Sequence, residues 1–237
     1  MILKNLKICI KKPFGVSFAG FSFINCDMSN SDFVLSDLQG VKFINCNLTN
    51  TNFHAAKLTQ TDFKNSTLVN ASFEEARLHF TNFQNTDLSH ARIFESCAHL
   101  LYTCIWDGAN LMRASFSNAG FVSDALNGKM PVLGLPFLNN EDNVFSDGYS
   151  YSFANLNLYE SSFRNCVISQ TSFQNPNLRD SDFDYTILEN VDFQGADLCG
   201  AGFREAKFTN VNLRNALYDC NTCGIPDHFK SDMIFKA

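Results

Sequence analysis

A large apolar residue recurs at every fifth position over most of this chain. The first run ends at Ile93. The pattern then resumes, shifted by three residues, from Leu101 to Phe121, and a third run extends from Phe153 to Leu213. With 45% hydrophobic residues, a run as long as the first would arise by chance about three times in a million. The first run consists of Phe18, Phe23, Met28, Phe33, Leu38, Phe43, Leu48, Phe53, Leu58, Phe63, Leu68, Phe73, Leu78, Phe83, Leu88 and Ile93.

A small residue usually precedes each large apolar residue by two positions, as at Thr61, Ala71 and Ala196. The other three positions of each unit are mostly polar. Five-residue spacing fits neither an α-helix, around which the apolar positions would wander, nor a flat strand, on which they would alternate faces. A chain that bends once per five residues, with coils stacked about 4.8 Å apart, satisfies the pattern. The sequence therefore predicts a solenoid.

Units such as Thr61-Asp62-Phe63-Lys64-Asn65 and Ala196-Asp197-Leu198-Cys199-Gly200 resemble the A(D/N)LXX consensus of the pentapeptide-repeat family. The resemblance implies an all-β fold, a right-handed quadrilateral β-helix with four repeats per coil, about eight coils and one long interrupting loop. Residues twenty apart then stack in columns. The predicted structural core includes Phe43, Phe63, Phe83, Phe163, Phe183 and Phe203.

Departures from the repeat divide the chain. We predict an N-terminal cap (1–17), a first repeat segment (18–126) with a register slip near 94–100, an inserted loop (127–150), a second repeat segment (151–218) and a C-terminal cap (219–237).

The inserted loop is either a tolerated connection between two rods or a segment that contacts a target, and a shift of the rod axis there is plausible. At the C-terminus, Asp227 is a candidate N-cap of a short helix that either closes the rod or meets a second molecule. A homodimer through this end is implied by resemblance to the gyrase-protecting branch of the family.

Nothing in the sequence predicts an enzyme. The five histidines lie outside the apolar register, and no phosphate-binding, dinucleotide-binding or metalloprotease motif occurs. Cys97, His99 and Cys104 match no standard zinc spacing, and Cys220-x-x-Cys223 is a lone pair. We therefore predict no cofactor and no metal.

Nine scattered cysteines favour reduced thiols and a cytoplasmic location. Secretion by a non-Sec route, as an effector, is the alternative. Lys4, Lys7, Lys11 and Lys12 raise the question of a membrane surface, but membrane contact is not expected, and no apolar run could span a bilayer.

The formal net charge of −6 argues against direct binding of nucleic acid. Acidic residues concentrate in the second half, where they form either a solvated acidic face or a partner-binding surface. The candidates are Asp180, Asp182, Asp184, Glu189, Asp192 and Asp197, with Glu141 and Asp142 in the loop.

These observations predict a non-enzymatic rod that binds a protein through its outer faces and central loop. Resemblance to Qnr and MfpA type proteins implies one alternative, a DNA-mimicking protector or inhibitor of DNA gyrase or topoisomerase IV. A secreted effector module that binds host proteins or membranes is the other alternative.

Overall fold

The structure, a computed structural model, describes residues 1–11, 15–93, 104–116, 120–121 and 151–237. The chain forms a right-handed quadrilateral β-helix of about nine turns, close to the predicted number. The named strands are β1 (Ile2–Lys4), β2 (Ser22–Ile24), β3 (Lys42–Ile44), β4 (Gly120–Phe121), β5 (Tyr151–Ser152), β6 (Val167–Ser172), β7 (Ile187–Asp192), β8 (Lys207–Thr209), β9 (Leu217–Tyr218) and β10 (Ile234–Phe235).

Neighbouring coils pair in parallel. β1, β2 and β3 form one sheet, β9 and β10 another, and β4, β6, β7 and β8 a third, with β5 also paired to β6. Elsewhere the coils are joined by isolated parallel bridges, such as Asp32 to Asn52 and Asn52 to Ser72. The ladder thus begins at Ile2, within the predicted N-terminal cap.

Each coil turns through four faces, which we number by their inward columns. Face 1 carries Phe23, Phe43, Phe63 and Phe83; face 2 carries Met28, Leu48, Leu68 and Leu88; face 3 carries Phe33, Phe53 and Phe73; face 4 carries Leu38, Leu58 and Leu78. All of these side chains are buried. On faces 1 and 3 the rings stack in parallel, with Phe43 and Phe63 centroids 5.2 Å apart and Phe163 and Phe183 centroids 4.8 Å apart.

A tight turn follows most inward residues and explains the corners. At a typical corner the N–H of Thr61 donates to the carbonyl of Leu58 at 3.0 Å, while Gln60 between them has a φ of 59°. Positive φ at the third residue defines a type II turn, which favours glycine or asparagine. We call the residue two after each inward centre the corner residue.

The small inward position also has a physical role. The hydroxyl of Thr61 donates to the carbonyl of Leu38 at 2.8 Å, and that of Ser66 donates to the carbonyl of Phe43 at 2.7 Å. Buried hydroxyls are tolerated inside the coil because the preceding coil accepts their hydrogen bonds.

The ladder continues across both departures from the repeat. Asn110 donates to Asp87, 23 residues earlier, and Asn157 donates to Asn110, 47 residues earlier, where the ordinary step is 20. Trp106 stacks on Phe83 with centroids 4.8 Å apart. The three-residue register shift is therefore one longer coil, and the coil of Asn157 lies directly on that of Asn110.

The C-terminal segment covers the end of the core. Phe229 packs on Phe208 with centroids 5.6 Å apart, and β10 pairs with β9. The prediction that Asp227 caps a helix is wrong: Pro226 is the N-cap residue of a three-residue 3-10 helix (Asp227–Phe229) and makes no side-chain cap bond. The Asp227 carboxylate instead pairs with Lys230 at 2.7 Å. These contacts place the segment over the end of the core, and a homodimer through this end stays a prediction.

Candidate functional site

The predicted acidic residues do not share a surface. Eighteen residues of this chain nearly complete a coil, so a cluster in sequence is spread around the tube. Asp182 and Asp184 lie on face 3, Glu189 on face 4, and Asp192 on face 1; Asp197 lies on face 2 and Asp180 at the corner that follows face 2. The expectation of one acidic face is wrong for this geometric reason. Glu141 and Asp142 lie outside the described residues.

Several of these carboxylates already have partners within the rod, either cations or hydrogen-bond donors. Arg164 contacts Asp182 at 3.4 Å and Asp184 at 3.2 Å, and Arg204 lies 3.7 Å from Asp184. Asp192 is only 3% exposed and accepts hydrogen bonds from Gln174, Asn212 and the Gln194 N–H.

Asp197 lies near Arg179 and Lys236, each 3.6 Å away. Burial alone would raise the pKa of Asp197, but hydrogen bonds from Cys199 and the charges of Lys236 and Arg179 hold it below its ordinary value.

Metal and redox chemistry find no support in the part of the chain that the structure describes. Within it, no group of three or more metal-binding side chains comes together. Cys104 is buried, its thiol donates to the Leu78 carbonyl at 3.0 Å, and burial raises its pKa. Cys97 and His99 lie outside the described residues. Cys220 and Cys223 are both free thiols.

One polar recess opens where Gly195 interrupts a column of corner asparagines. It is lined by Gln174, Asn175, Gln194, Gly195 and Asn215. Amides alone supply neither a nucleophile nor an acid or base at neutral pH, so the recess offers no catalytic set. Across the described ranges, no helix has the length and apolar character to span a membrane.

Face 2 is lined by amides that bond to each other along the rod. Asn47 donates to Asp27 at 3.1 Å, and Asn177 donates to Asn157 at 3.1 Å. The carboxylate of Asp27 also accepts the N–H of Ser29 at 3.1 Å, which caps the local turn. The column is thus satisfied by its own hydrogen bonds and offers few unpaired groups to a ligand.

Face 4 is different because apolar side chains lie exposed on or beside it. Between the two ends of the rod, the described large hydrophobic residues that are exposed are Leu35, Phe80, Ile105, Val167, Tyr185 and Ile187. Val167 and Ile187 pair in the outward column of face 4, and Leu35, Tyr185 and Phe80 are its corner residues. Ile105 is the outward residue of face 1 that follows the corner with face 4.

Three of these residues occupy corners where their chemistry is unfavourable. Leu35, Phe80 and Tyr185 have φ values of 58°, 56° and 61°, in a region that bulky residues rarely adopt. Each is also exposed, at 54%, 42% and 50% of its surface. A strained and exposed apolar residue is disfavoured by both backbone and solvent, so a functional reason for its presence is the natural inference.

The corner at Tyr185 is held in place by a series of contacts. The Arg164 guanidinium lies 4.7 Å from the centre of the Tyr185 ring, within cation–π range. Arg164 is itself held by Asp182 and Asp184. Asp182 and Asp184, two of the predicted acidic residues, therefore hold the arginine that contacts the Tyr185 ring.

The two departures from the repeat border the same face. Residues 94–103 lie in the sequence between Ile93, on face 3, and Cys104, just before face 1. Residues 122–150 separate Phe121, which pairs with Ile168 on face 4, from Tyr151, just before face 1. Sequence reasoning missed this shared side, although reading outward residues at intervals of twenty would have revealed it.

Comparison with known families identifies the class. A model described as a pentapeptide repeat region matches residues 16–98, and a model of eight pentapeptide repeats matches residues 177–215. These matches cover about half of the chain, which belongs to the pentapeptide-repeat family.

Solved structures of similar fold include HetL from the cyanobacterium Nostoc sp. strain PCC 7120, described as involved in heterocyst differentiation regulation. It is 14% identical, with 91% of this chain and 88% of HetL covered and a TM-score of 0.40. QnrB1, a plasmid-mediated fluoroquinolone resistance protein, is 18% identical, with 90% and 89% covered and a TM-score of 0.38. A pentapeptide repeat protein of the Arabidopsis thaliana thylakoid lumen is 25% identical, with 46% and 67% covered and a TM-score of 0.27. The search of curated proteins found no match.

Proposed function

We propose that the protein is a non-enzymatic rod that binds a protein partner through face 4 and its two corners. The observation that carries the proposal is the placement of the exposed large apolar side chains between the two ends of the rod, which among the described residues all lie on or next to this side. Exposed apolar groups gathered on one surface are typical of interaction sites. Face 2 of the same coils is a polar ladder whose groups bond to one another, so we expect the partner on the side of face 4.

A crosslinking experiment tests this orientation. A photoreactive phenylalanine analogue replaces Ile187, an outward residue of face 4. The matched control replaces Asn177, an outward residue of face 2 in the same coil. Both sites are outward, so neither replacement disturbs the core. In cells of the source organism, we expect Ile187 to yield a discrete adduct to one protein and Asn177 to yield none. Equal adducts from both positions, or none from Ile187, would contradict the proposal.

A type II topoisomerase as the partner stays a prediction. Mimicry of DNA needs closely spaced negative charge along an axis, whereas the outward column of face 2 reads Asp27, Asn47, Thr67, Asp87, Asn110, Asn157, Asn177 and Asp197. The acids of the second half encircle the rod instead.

The direct test of this hypothesis is whether purified protein restores gyrase supercoiling in the presence of a fluoroquinolone. Asp182→Lys is the suitable charge reversal, because Asp192 is buried in hydrogen bonds and its reversal would disrupt the coil. Protection that Asp182→Lys abolishes would support the hypothesis, and absence of protection would remove it. The cytoplasmic location and the secreted alternative also remain predictions.

A further inference from the structure

Face 4 carries two exposed cations in one column, Lys57 and Arg77. A ladder bridge joins their backbones, so the side chains leave adjacent coils about 4.8 Å apart. Like charges directly opposite each other in a ladder are unfavourable. Among the described residues, neither cation forms an ion pair.

Three carboxylates lie near these cations, and among the described residues none of them forms an ion pair with Lys57 or Arg77. Asp37, which immediately precedes Lys57 in the column, accepts the N–H of Gln39 at 3.2 Å. Glu74 pairs with Arg92 at 3.2 Å, and Glu75 is an exposed corner residue. Lys57 and Arg77 are therefore two neighbouring exposed cations without an ion-pair partner among the described residues, on a chain whose net charge is −6.

Two apolar corner residues frame the cations. Leu35 lies one coil before Lys57, at the corner between faces 3 and 4. Phe80 lies on the coil of Arg77, at the corner between faces 4 and 1, and contacts His79 with ring centroids 4.0 Å apart. A diagonal from Leu35 to Phe80 therefore crosses face 4 beside the cationic pair.

We infer that this part of face 4, the Lys57–Arg77 site, binds an extended segment of a partner protein that places an acidic side chain between two apolar ones. The two corners are two coils apart along the rod and one face apart around it. That diagonal is about 13 Å, which four extended residues span. The inference rests on the proposed function and names the chemistry of the segment that face 4 recognises.

Charge selects this occupant over a second copy of the chain. A two-fold pair through face 4 would bring the cations of one molecule towards the same apolar and cationic column of the other, which continues to Lys207. A carboxylate of a different protein satisfies both cations at once through charge-assisted hydrogen bonds.

The first test selects random 12-residue peptides displayed on phage against the purified full-length chain. We expect enrichment of peptides with an acidic residue flanked by apolar residues within a five-residue window. A fluorescein-labelled selected peptide, measured by fluorescence anisotropy, should then lose at least about tenfold in affinity for Lys57→Glu/Arg77→Glu. The matched control, Lys64→Glu/Arg214→Glu on face 1, changes the net charge equally and should leave the affinity within about twofold.

A second pair of variants separates binding from folding. Leu35→Asn and Phe80→Asn place a residue that tolerates positive φ at each corner, so thermal stability should hold or rise while the labelled peptide loses at least about tenfold in affinity. His90→Asn, at the corner between faces 2 and 3 with a φ of 59°, is the control and should not change peptide affinity.

Three results would overturn the inference: no enriched peptide, enriched peptides without acidic residues, or a selected peptide that binds Lys57→Glu/Arg77→Glu normally. Cosedimentation with vesicles of phosphatidylcholine and phosphatidylserine that these variants abolish would identify a lipid surface instead and would also overturn it. If Ile187 crosslinks a partner while the peptide results fail, face 4 stands as the binding side and only the acidic segment falls.

Discussion

Faces 2 and 4 of this rod have the same interior and opposite exteriors. Inside, both carry a column of leucines such as Leu68 and Leu58, all buried. Outside, face 2 carries asparagines and aspartates that bond to one another. The outward column of face 4 instead carries Ser17, Asp37, Lys57 and Arg77, then Gly120, Val167, Ile187 and Lys207.

This difference shows which outer residues the fold itself does not require. The coil needs one large and one small inward residue in every five, and it accepts many residue types at the other three positions, provided that the corners can turn and the parallel bridges can form. Where the outer residues satisfy each other, as on face 2, their role is structural. Where they are strained, exposed or alike in charge, as on face 4, a partner is the simplest reason for their presence.

The largest effect should come from the interior, where the two faces are expected to agree. Leu68→Ala on face 2 and Leu58→Ala on face 4 should each lower the free energy of unfolding by about 2 to 5 kcal/mol, because stacked coils cannot collapse around a cavity. Urea unfolding followed by circular dichroism measures both. A much smaller loss for Leu58→Ala would mean that the two faces differ inside as well as outside.

Removing a rung of the amide ladder beside face 2 should have the next largest effect. Asn50 donates to Asn30 and accepts from Asn70, each at 3.1 Å, at a corner with a φ of 57°. Asn50→Ala loses both hydrogen bonds and strains the corner, so we expect a loss of about 1 to 2 kcal/mol in unfolding free energy. An unchanged urea midpoint would show that these amide hydrogen bonds do not contribute to the stability of the fold.

The opposite sign is expected at the corners of face 4. Tyr185→Asn relieves a bulky residue at positive φ and should raise the free energy of unfolding by about 0.5 to 1 kcal/mol, less the lost contact with Arg164. The same substitution should weaken binding of the crosslinked partner. A variant that is both less stable and fully active would reverse our assignment of this corner.

The smallest effect concerns pH and again distinguishes face 2. The pKa of Asp197 is lower in the folded protein than its ordinary value of 3.8, so its contribution to stability is present above that value and is lost as the pH falls through the folded pKa. Between pH 5 and pH 2, the urea midpoint should fall less for Asp197→Asn than for the parent chain. Parallel pH profiles would remove Asp197 from the acid response.

The interior of the fold was readable from the sequence because one period fixes it. The five-residue spacing predicted the solenoid, and the resemblance supplied the four faces that make residues twenty apart neighbours. Phe43 and Phe63 then had to stack, as they do. The three-residue slip before Trp106 was readable for the same reason, since only a longer coil returns the ring to the column of Phe83.

The exterior was harder to predict because neighbours in sequence are not neighbours in space. Asp182 and Asp192 are ten residues apart but lie on opposite sides of the tube, whereas Val167 and Ile187 are twenty residues apart and pair in adjacent coils. The prediction for the C-terminal end was wrong for a local reason. Pro226 is the N-cap residue of the 3-10 helix, a position at which the sequence favoured Asp227.

The direct pairing of Asn110 with Asn157 has a practical consequence. Chain can be added or exchanged at the corner between Phe121, on face 4, and Phe153, on face 1, without shifting any coil above or below, since the residues on either side lie in neighbouring coils that pair directly. New recognition elements can therefore be inserted at this corner, by evolution or by design, while the apolar core behind it stays unchanged.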